Sequence, residues 1–287
     1  MKYFDFESIN KIIDLYKNMD INYLKAASHA AQIMSNPDIQ KSLSFAQFYH
    51  QLKTEKRFFC QHDFFDILYD SFTQFSSNID ADVFIYRARR MNIDELDKRK
   101  DEIGEANYKT EPFKGFDKSG SFVRPTEEIT ANRANTRGIP CLYVGDSITT
   151  AISEVKPYKG TRVSVAKIKL KRQLRIYRVY PEFDDYELKL KDFMAKYPGW
   201  YRSLANMFSI PYENNDKNEY LITQCISEYV RISEKFDGIA YRSSLNDNGL
   251  NYAIFGCECG DYSLCEPVES NVYFIKNIDV QYEENRY

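Results

Sequence analysis

Cys141-Leu142-Tyr143-Val144-Gly145-Asp146-Ser147-Ile148-Thr149-Thr150-Ala151-Ile152-Ser153-Glu154-Val155 is the stretch that decides the fold class. Cys141 to Val144 is a short apolar run bounded by Gly-Asp-Ser, which reads as a buried strand. Asp146 or Ser147 can cap a helix beginning at Ile148. Ile148, Ala151, Ile152 and Val155 recur at helical spacing and form one apolar stripe. Glu154 falls at the edge of that stripe, so a partly buried carboxylate is expected there. A strand thus runs directly into a capped helix.

Outward from this unit, further β-type runs occur at Val83–Arg87, Arg162–Leu170, Leu174–Val179, Gly238–Tyr241, Asn251–Phe255 and Val272–Ile278. Helical patterns lie among them at Ser147–Val155, Glu187–Ala195 and Tyr220–Phe236. The alternation has no steady βαβ rhythm, so the spacing predicts α+β rather than a doubly wound sheet. Residues 1–79 read differently. Ile9, Ile12, Ile13 and Tyr16, then Tyr23, Ala26, Ala30 and Ile33, repeat at helical spacing. Two more helices fit Pro37–Leu52 and Asp63–Phe75, and Ser76-Ser77-Asn78-Ile79-Asp80 reads as a polar linker. The expected organisation is an all-α N-terminal domain over residues 1–79 and a mixed β core with helices over residues 80–287.

The 287 residues suit about two domains of roughly 150 each. Hydrophobic residues are 43% and charged residues 28%, a globular balance. With 39 basic and 42 acidic residues the net charge is −3, which provides no general footprint for wrapping nucleic acid. The six cysteines follow no regular framework, so reduced thiols and a cytoplasmic location are expected. The opening MKYFDFESIN has no apolar leader core, and no run approaches the ~18 apolar residues of a membrane span.

Four groups of polar residues could carry chemistry. Arg87 and Arg89 share one face of a strand with Val83 and Ile85, where a cation needs a partner or a ligand. An arginine fork matches two phosphate oxygens at once. Ala131-Asn132-Arg133-Ala134-Asn135-Thr136-Arg137-Gly138-Ile139-Pro140 is a polar loop ahead of the Cys141 strand. Glu154 is the helix carboxylate. Asp237 to Ser244 is a strand ending in two hydroxyls, followed by Asn248-Gly249 and the strand carrying Asn251. Each group also has an ordinary structural reading, as rim ion pair, surface loop, solvated helix residue and turn.

The order of these blocks resembles the RES-domain family. The resemblance is carried by Tyr86-Arg87-Ala88-Arg89, Ala131 through Tyr143, Thr150 through Val155, Gly160 through Ala166, and Asp237 through Phe255. It spans about residues 81–260. One departure is Ala-Asn before Arg133, where the family pattern has Gly before the Arg. The resemblance implies a fold related to ADP-ribosyltransferases and NAD as substrate, with no cofactor and no metal. It implies a toxin-like enzyme that cleaves the nicotinamide–ribose bond by phosphorolysis or hydrolysis, or transfers ADP-ribose to a protein. Inorganic phosphate and a cognate antitoxin are the further partners it suggests. By the same resemblance Arg87, Glu154 and Ser243 are the catalytic candidates, and Arg133, Tyr143, Asn135 and Asn251 the substrate-binding ones.

NAD carries a pyrophosphate for an arginine, and its nicotinamide leaves as a cation released to neutrality, so no strong acid is required. A carboxylate such as Glu154 can stabilise the oxocarbenium-like state. Tyr143 can stack on the nicotinamide, Ser243 can hold its carboxamide or orient Glu154, and Arg133 or Arg137 can receive a phosphate. Two alternatives remain. Arg57 and His62 are similar to the Arg-x4-His motif of HEPN ribonucleases, which are helical bundles. A non-catalytic NAD-binding module is the other. In place of ribonuclease chemistry, the N-terminal helices are expected to form an accessory domain, for dimerisation or antitoxin contact. Cys257, Cys259 and Cys265 lack the spacing of a zinc ribbon.

Overall fold

A computed structural model of the chain describes residues 47–57, 62–92, 114–180, 189–197, 200–209, 220–233 and 235–278. The helices read within residues 1–46 lie outside the described residues. The architecture is α+β. Eight strands form one mixed sheet: β1 (Ser76–Ile79), β2 (Phe84–Arg90), β3 (Cys141–Gly145), β4 (Arg162–Leu170), β5 (Leu174–Arg178), β6 (Gly238–Arg242), β7 (Leu250–Phe255) and β8 (Cys265–Phe274). Their order is β1-β5-β6-β7-β3-β2-β4-β8. The pair β5–β6 is parallel and the other pairs are antiparallel. A parallel pair needs a long crossover, and the helices α3 (Lys189–Lys196), α4 (Trp200–Ser209) and α5 (Leu221–Ser233) lie in that connection in sequence. The remaining helices are α1 (Asp63–Ser71) and α2 (Ile148–Glu154), with residues 47–54 also helical.

The chain divides into two compact units. One holds residues up to Gln74 and those from 181 to Leu204; the other holds Phe75–Tyr180 and Ala205–Tyr287. In the helical unit, Phe48 stacks on Phe64, with ring centroids 4.4 Å apart, and Trp200 meets Phe64 and Phe193, each at 5.7 Å. Asp70 accepts from Lys196 Nζ at 2.7 Å and Tyr197 Oη at 2.6 Å. These contacts draw residues 189–204, which the sequence reading placed with the β-rich part, into the helical unit.

The expected linker at 76–80 is a correction. Ser76 to Ile79 pair with Tyr177 to Leu174 as the sheet's edge strand. An edge strand is held by backbone bonds and needs little apolar periodicity, so its polar side chains hid it. In the β-rich unit, Ile85, Leu142, Ile168, Leu174, Ile176 and Ile254 belong to one buried cluster. Among the described residues no helix is long and apolar enough to cross a membrane.

The sheet has one weak seam. β2 is bonded to β4 over seven residue pairs but to β3 only at Tyr86↔Gly145. Beyond that pair, Arg87–Arg89 and Leu142–Val144 are not joined, and the seam opens there into a cavity. Gly145 permits the junction: a Cβ there would come within 2.9 Å of Ala151 N, so a side chain would push α2 away from β3.

Candidate active site

The cavity has a volume of about 400 Å3, within the usual range for small-molecule sites. β2 contributes Tyr86 to Arg89, β3 contributes Tyr143 to Gly145, α2 contributes Ala151 and Glu154, and its C-cap contributes Val155. The 132–133 loop, the end of α4, Tyr220, the end of β6 and Asn251 close the rest.

Glu154 sits on the last turn of α2, a helix capped by Ser147, whose Oγ accepts from Thr150 N at 3.1 Å. Pro157 lies just beyond, and the residue before a proline avoids the helical region, so the helix stops with the carboxylate at its exit. The carboxylate is more exposed than its place on the stripe suggested. Its Oε1 accepts from Ser243 Oγ at 2.6 Å and from Asn251 Nδ2 at 2.7 Å. Oε2 has no hydrogen-bond partner among the described residues. One oxygen is therefore fixed and the other left for something in the cavity.

Ser243 is buried, and its hydroxyl is fully used. It donates to Glu154 and accepts from Leu245 N and Asn246 N, both at 3.1 Å. Of the two roles considered for it, orienting Glu154 fits these bonds, and donating to a carboxamide does not. Asn251 is buried on β7 and lines the cavity.

Arg87 projects from β2 into the seam. Its Nη1 is out of contact with solvent and makes no hydrogen bond among the described residues. Burial brings its pKa down to about 10, and the charges of Arg89 and Arg124 add to the depression. A buried donor without an acceptor costs free energy that an entering anion would recover. Arg89 also lines the cavity; its guanidinium bonds the Gly120 carbonyl and lies 4.6 Å from the Phe116 ring centre.

Arg133 reaches the cavity from the 131–140 loop. Nη1 donates to Met207 O at 2.8 Å, and the guanidinium stands 5.4 Å from the Tyr220 ring and 5.9 Å from the Tyr241 ring. Tyr143 also lines the cavity, but its hydroxyl faces the loop, donating to Asn135 Oδ1 at 2.7 Å and accepting from Ala134 N at 2.8 Å. Burial raises its pKa well above the usual tyrosine value.

Asn135 is not brought to the cavity. It is buried, with Nδ2 donating to Thr130 O and Thr136 O at 3.0 and 2.9 Å. With Oδ1 held by Tyr143, the side chain braces the loop instead of offering itself to a ligand. Arg137 is exposed and outside the cavity lining.

Reasoning from sequence did not single out Lys156, Phe208, Tyr220, Tyr241 or Arg242, all of which line the cavity. Arg242 had a signal, since it precedes Ser243 at the end of a strand. Tyr220 and Phe208 had none, because they arrive through the long crossover. In the helical unit, His62 caps α1, its Nδ1 accepting from Phe64 N at 3.1 Å, with the Phe48 ring 5.5 Å away. Nδ1 is thus committed to a helix end. The sulfurs of Cys257 and Cys265 are 3.8 Å apart and buried. Among the described residues no three His, Cys, Asp or Glu side chains come together as a metal site.

A protein-family model described as RES domain matches residues 102–274, more than half of the chain. The span contains Arg133, Asn135, Tyr143, Glu154, Ser243 and Asn251; Arg87 lies ahead of it and joins them through β2. No curated protein matches the chain. Among solved structures, the crystal structure of the M. tuberculosis MbcT–MbcA toxin–antitoxin complex is similar, with 9% sequence identity and a TM-score of 0.37, over 73% of this chain and 93% of that chain. On the sequence match, which joins the strand–helix unit at its centre to the serine and asparagine strands, the chain belongs to the RES domain family.

Proposed function

We propose that the chain is an NAD-consuming, toxin-like enzyme that breaks the bond between nicotinamide and ribose. The observation that carries this reading is the Glu154 carboxylate, with Oε1 held by Ser243 and Asn251 and Oε2 left over, in a cavity also lined by Arg87, whose Nη1 is buried without a hydrogen-bond partner among the described residues. Membership of the RES domain family, whose enzymes generally act on NAD, supports the substrate class.

The chemistry needs little beyond these groups. Arg87 takes the pyrophosphate, which supplies the acceptor its buried Nη1 lacks. Nicotinamide departs carrying the bonding electron pair, and positive charge grows on the ribose ring. Glu154 meets that charge with a carboxylate that does not have to reorient, because two donors already hold it. Ser243 and Asn251 orient the carboxylate. The ring of Tyr143 is the stacking surface for the nicotinamide. The ribosyl carbon then passes to phosphate, water or a protein side chain, and phosphorus NMR of the products in phosphate buffer identifies which.

A toxin role, with a cognate antitoxin as partner, belongs to the same reading. The test is incubation of the whole chain with NAD, following free nicotinamide. Release that Glu154→Gln abolishes supports the reaction. No release from the folded wild type, with RNA cleavage that depends on His62, would replace it with the ribonuclease alternative. NAD binding without turnover in the wild type would leave the binding-module alternative.

A further inference from the structure

Ser243 holds Glu154, but the structure also shows what holds Ser243. Its Oγ receives the N–H groups of Leu245 and Asn246, so its position depends on the 244–249 loop between β6 and β7. That loop is fastened to the first turn of the helix that carries Glu154. Asn246 Nδ2 donates to Thr150 Oγ1 at 2.9 Å, and Thr150 Oγ1 donates to Asp146 Oδ1 at 2.6 Å. The other oxygen, Asp146 Oδ2, accepts from Leu250 N at 3.1 Å where the loop re-enters the sheet.

Thr150 is fully buried and stands four residues before Glu154, one turn along the same helix. The loop approaches it closely: a Cβ on Gly249 would lie 2.5 Å from Thr150 Oγ1, so this position requires glycine. The chain of bonds closes on itself. It runs from Glu154 to Ser243, through the loop amides to Asn246, on to Thr150, and along α2 back to Glu154. A closed ring of this kind, with Thr150 and Ser243 buried in it, fixes side chains more tightly than separate pairs do.

We propose that Thr150 and Asn246 are positioning residues for the reaction, setting the Ser243–Glu154 pair through the loop without touching substrate. The inference rests on the proposed NAD cleavage for its kinetic part only. Misplacement of a catalytic group by a fraction of an ångström costs turnover more than binding.

The test compares Asn246→Ala, Thr150→Val and Thr150→Ser in the whole chain, each shown folded by circular dichroism. The expected result is a loss of kcat for nicotinamide release of about tenfold in Asn246→Ala and Thr150→Val, with KM within about twofold of wild type. Thr150→Ser keeps the hydroxyl and should recover most of kcat. Amide hydrogen exchange provides a readout separate from catalysis: the Leu245 and Asn246 amides should exchange faster in Asn246→Ala and Thr150→Val and stay protected in Thr150→Ser. Wild-type kcat in Asn246→Ala, or a loss in Thr150→Ser as large as in Thr150→Val, overturns the proposal. Should the wild type release no nicotinamide, the proposed reaction fails, and exchange alone decides the positioning: unchanged protection in both disruptive variants refutes it.

Discussion

The two walls of the cavity differ in how their polar groups are satisfied. On the wall made by α2, β7 and the 244–249 loop, Ser243 and Asn251 hold Glu154 Oε1, and behind them Asn246 ties the loop to Thr150, which bonds Asp146. On the β2 wall, Arg87 keeps a buried Nη1 without an acceptor. On the first wall the donors that hold Glu154 are in place before any ligand arrives, while on the second a buried donor has no acceptor among the described residues. A group that must meet charge developing during reaction gains from being fixed beforehand. A group that must capture a ligand gains from a donor the protein leaves unpaired, at a cost in stability of the free protein. The difference separates turnover from binding, and substitutions on the two walls should separate them too.

The largest effect is expected at Glu154. Glu154→Gln keeps the shape and loses the charge, so nicotinamide release should fall by at least about 100-fold, or about 2.7 kcal/mol, while NAD affinity by calorimetry changes little. Near-normal turnover in this variant would end the assignment of the first wall to the chemistry.

Arg87 should show the reverse pattern. Arg87→Met removes a cation that lacks an acceptor, so the melting temperature should hold or rise, while NAD affinity falls by at least about tenfold. The depressed pKa sets the pH dependence. The charged form, the one expected to bind an anion, predominates well below about 10 and is lost as pH rises through that value. Wild-type NAD affinity should therefore be level through neutral pH and weaken as pH nears 10, and Arg87→Met should lack that decline. A melting temperature that drops sharply in Arg87→Met would mean the arginine is a structural pillar.

Legibility in the sequence divides along similar lines. The β4 strand was read over its observed bounds, Arg162–Leu170, because its apolar run is buried. β8 was read from Val272, yet it starts at Cys265: Glu266, Pro267 and Glu269 break the apolar pattern on an edge strand, and the register shifts near Ile168. α4 was not read at all. At the site, Arg87, Glu154, Ser243 and Asn251 came from block order together with residue chemistry. Asn135 lies outside the cavity lining, and sequence cannot tell an amide aimed at a ligand from one aimed at its own loop carbonyls. Asp146, Thr150 and Asn246 were missed as a group because their common role exists only once the 244–249 loop lies against α2.

Asn135 and Asn251 offer a sharper, smaller contrast, since both are buried asparagines in the family-matched span. Asn251→Ala should lower kcat, because it strips one donor from Glu154. Asn135→Ala should act first on stability, by about 1–3 kcal/mol, since it leaves the Tyr143 hydroxyl and the Thr130 and Thr136 carbonyls with fewer partners. Denaturant unfolding and steady-state kinetics on both variants separate the roles. Equal loss of kcat with no loss of stability in Asn135→Ala would return that residue to the substrate.

The smallest effect on activity is expected at His62, outside both walls. Its Nδ1 accepts the Phe64 N–H at the start of α1, so it does the work of a helix cap. Removing a cap typically costs about 1 kcal/mol. His62→Ala should therefore lower the melting temperature slightly and leave nicotinamide release within about twofold of wild type. The variant also tests the ribonuclease alternative, because an acid or base at a scissile phosphodiester needs a ring nitrogen free to exchange its proton. With Nδ1 bound to a backbone N–H, only Nε2 could serve, and no carboxylate among the described residues is seen to hold the ring for that task. If His62→Ala abolished NAD cleavage in a folded protein, the chemistry could not rest on Arg87, Glu154 and Ser243 alone, and the site would have to draw on the helical unit.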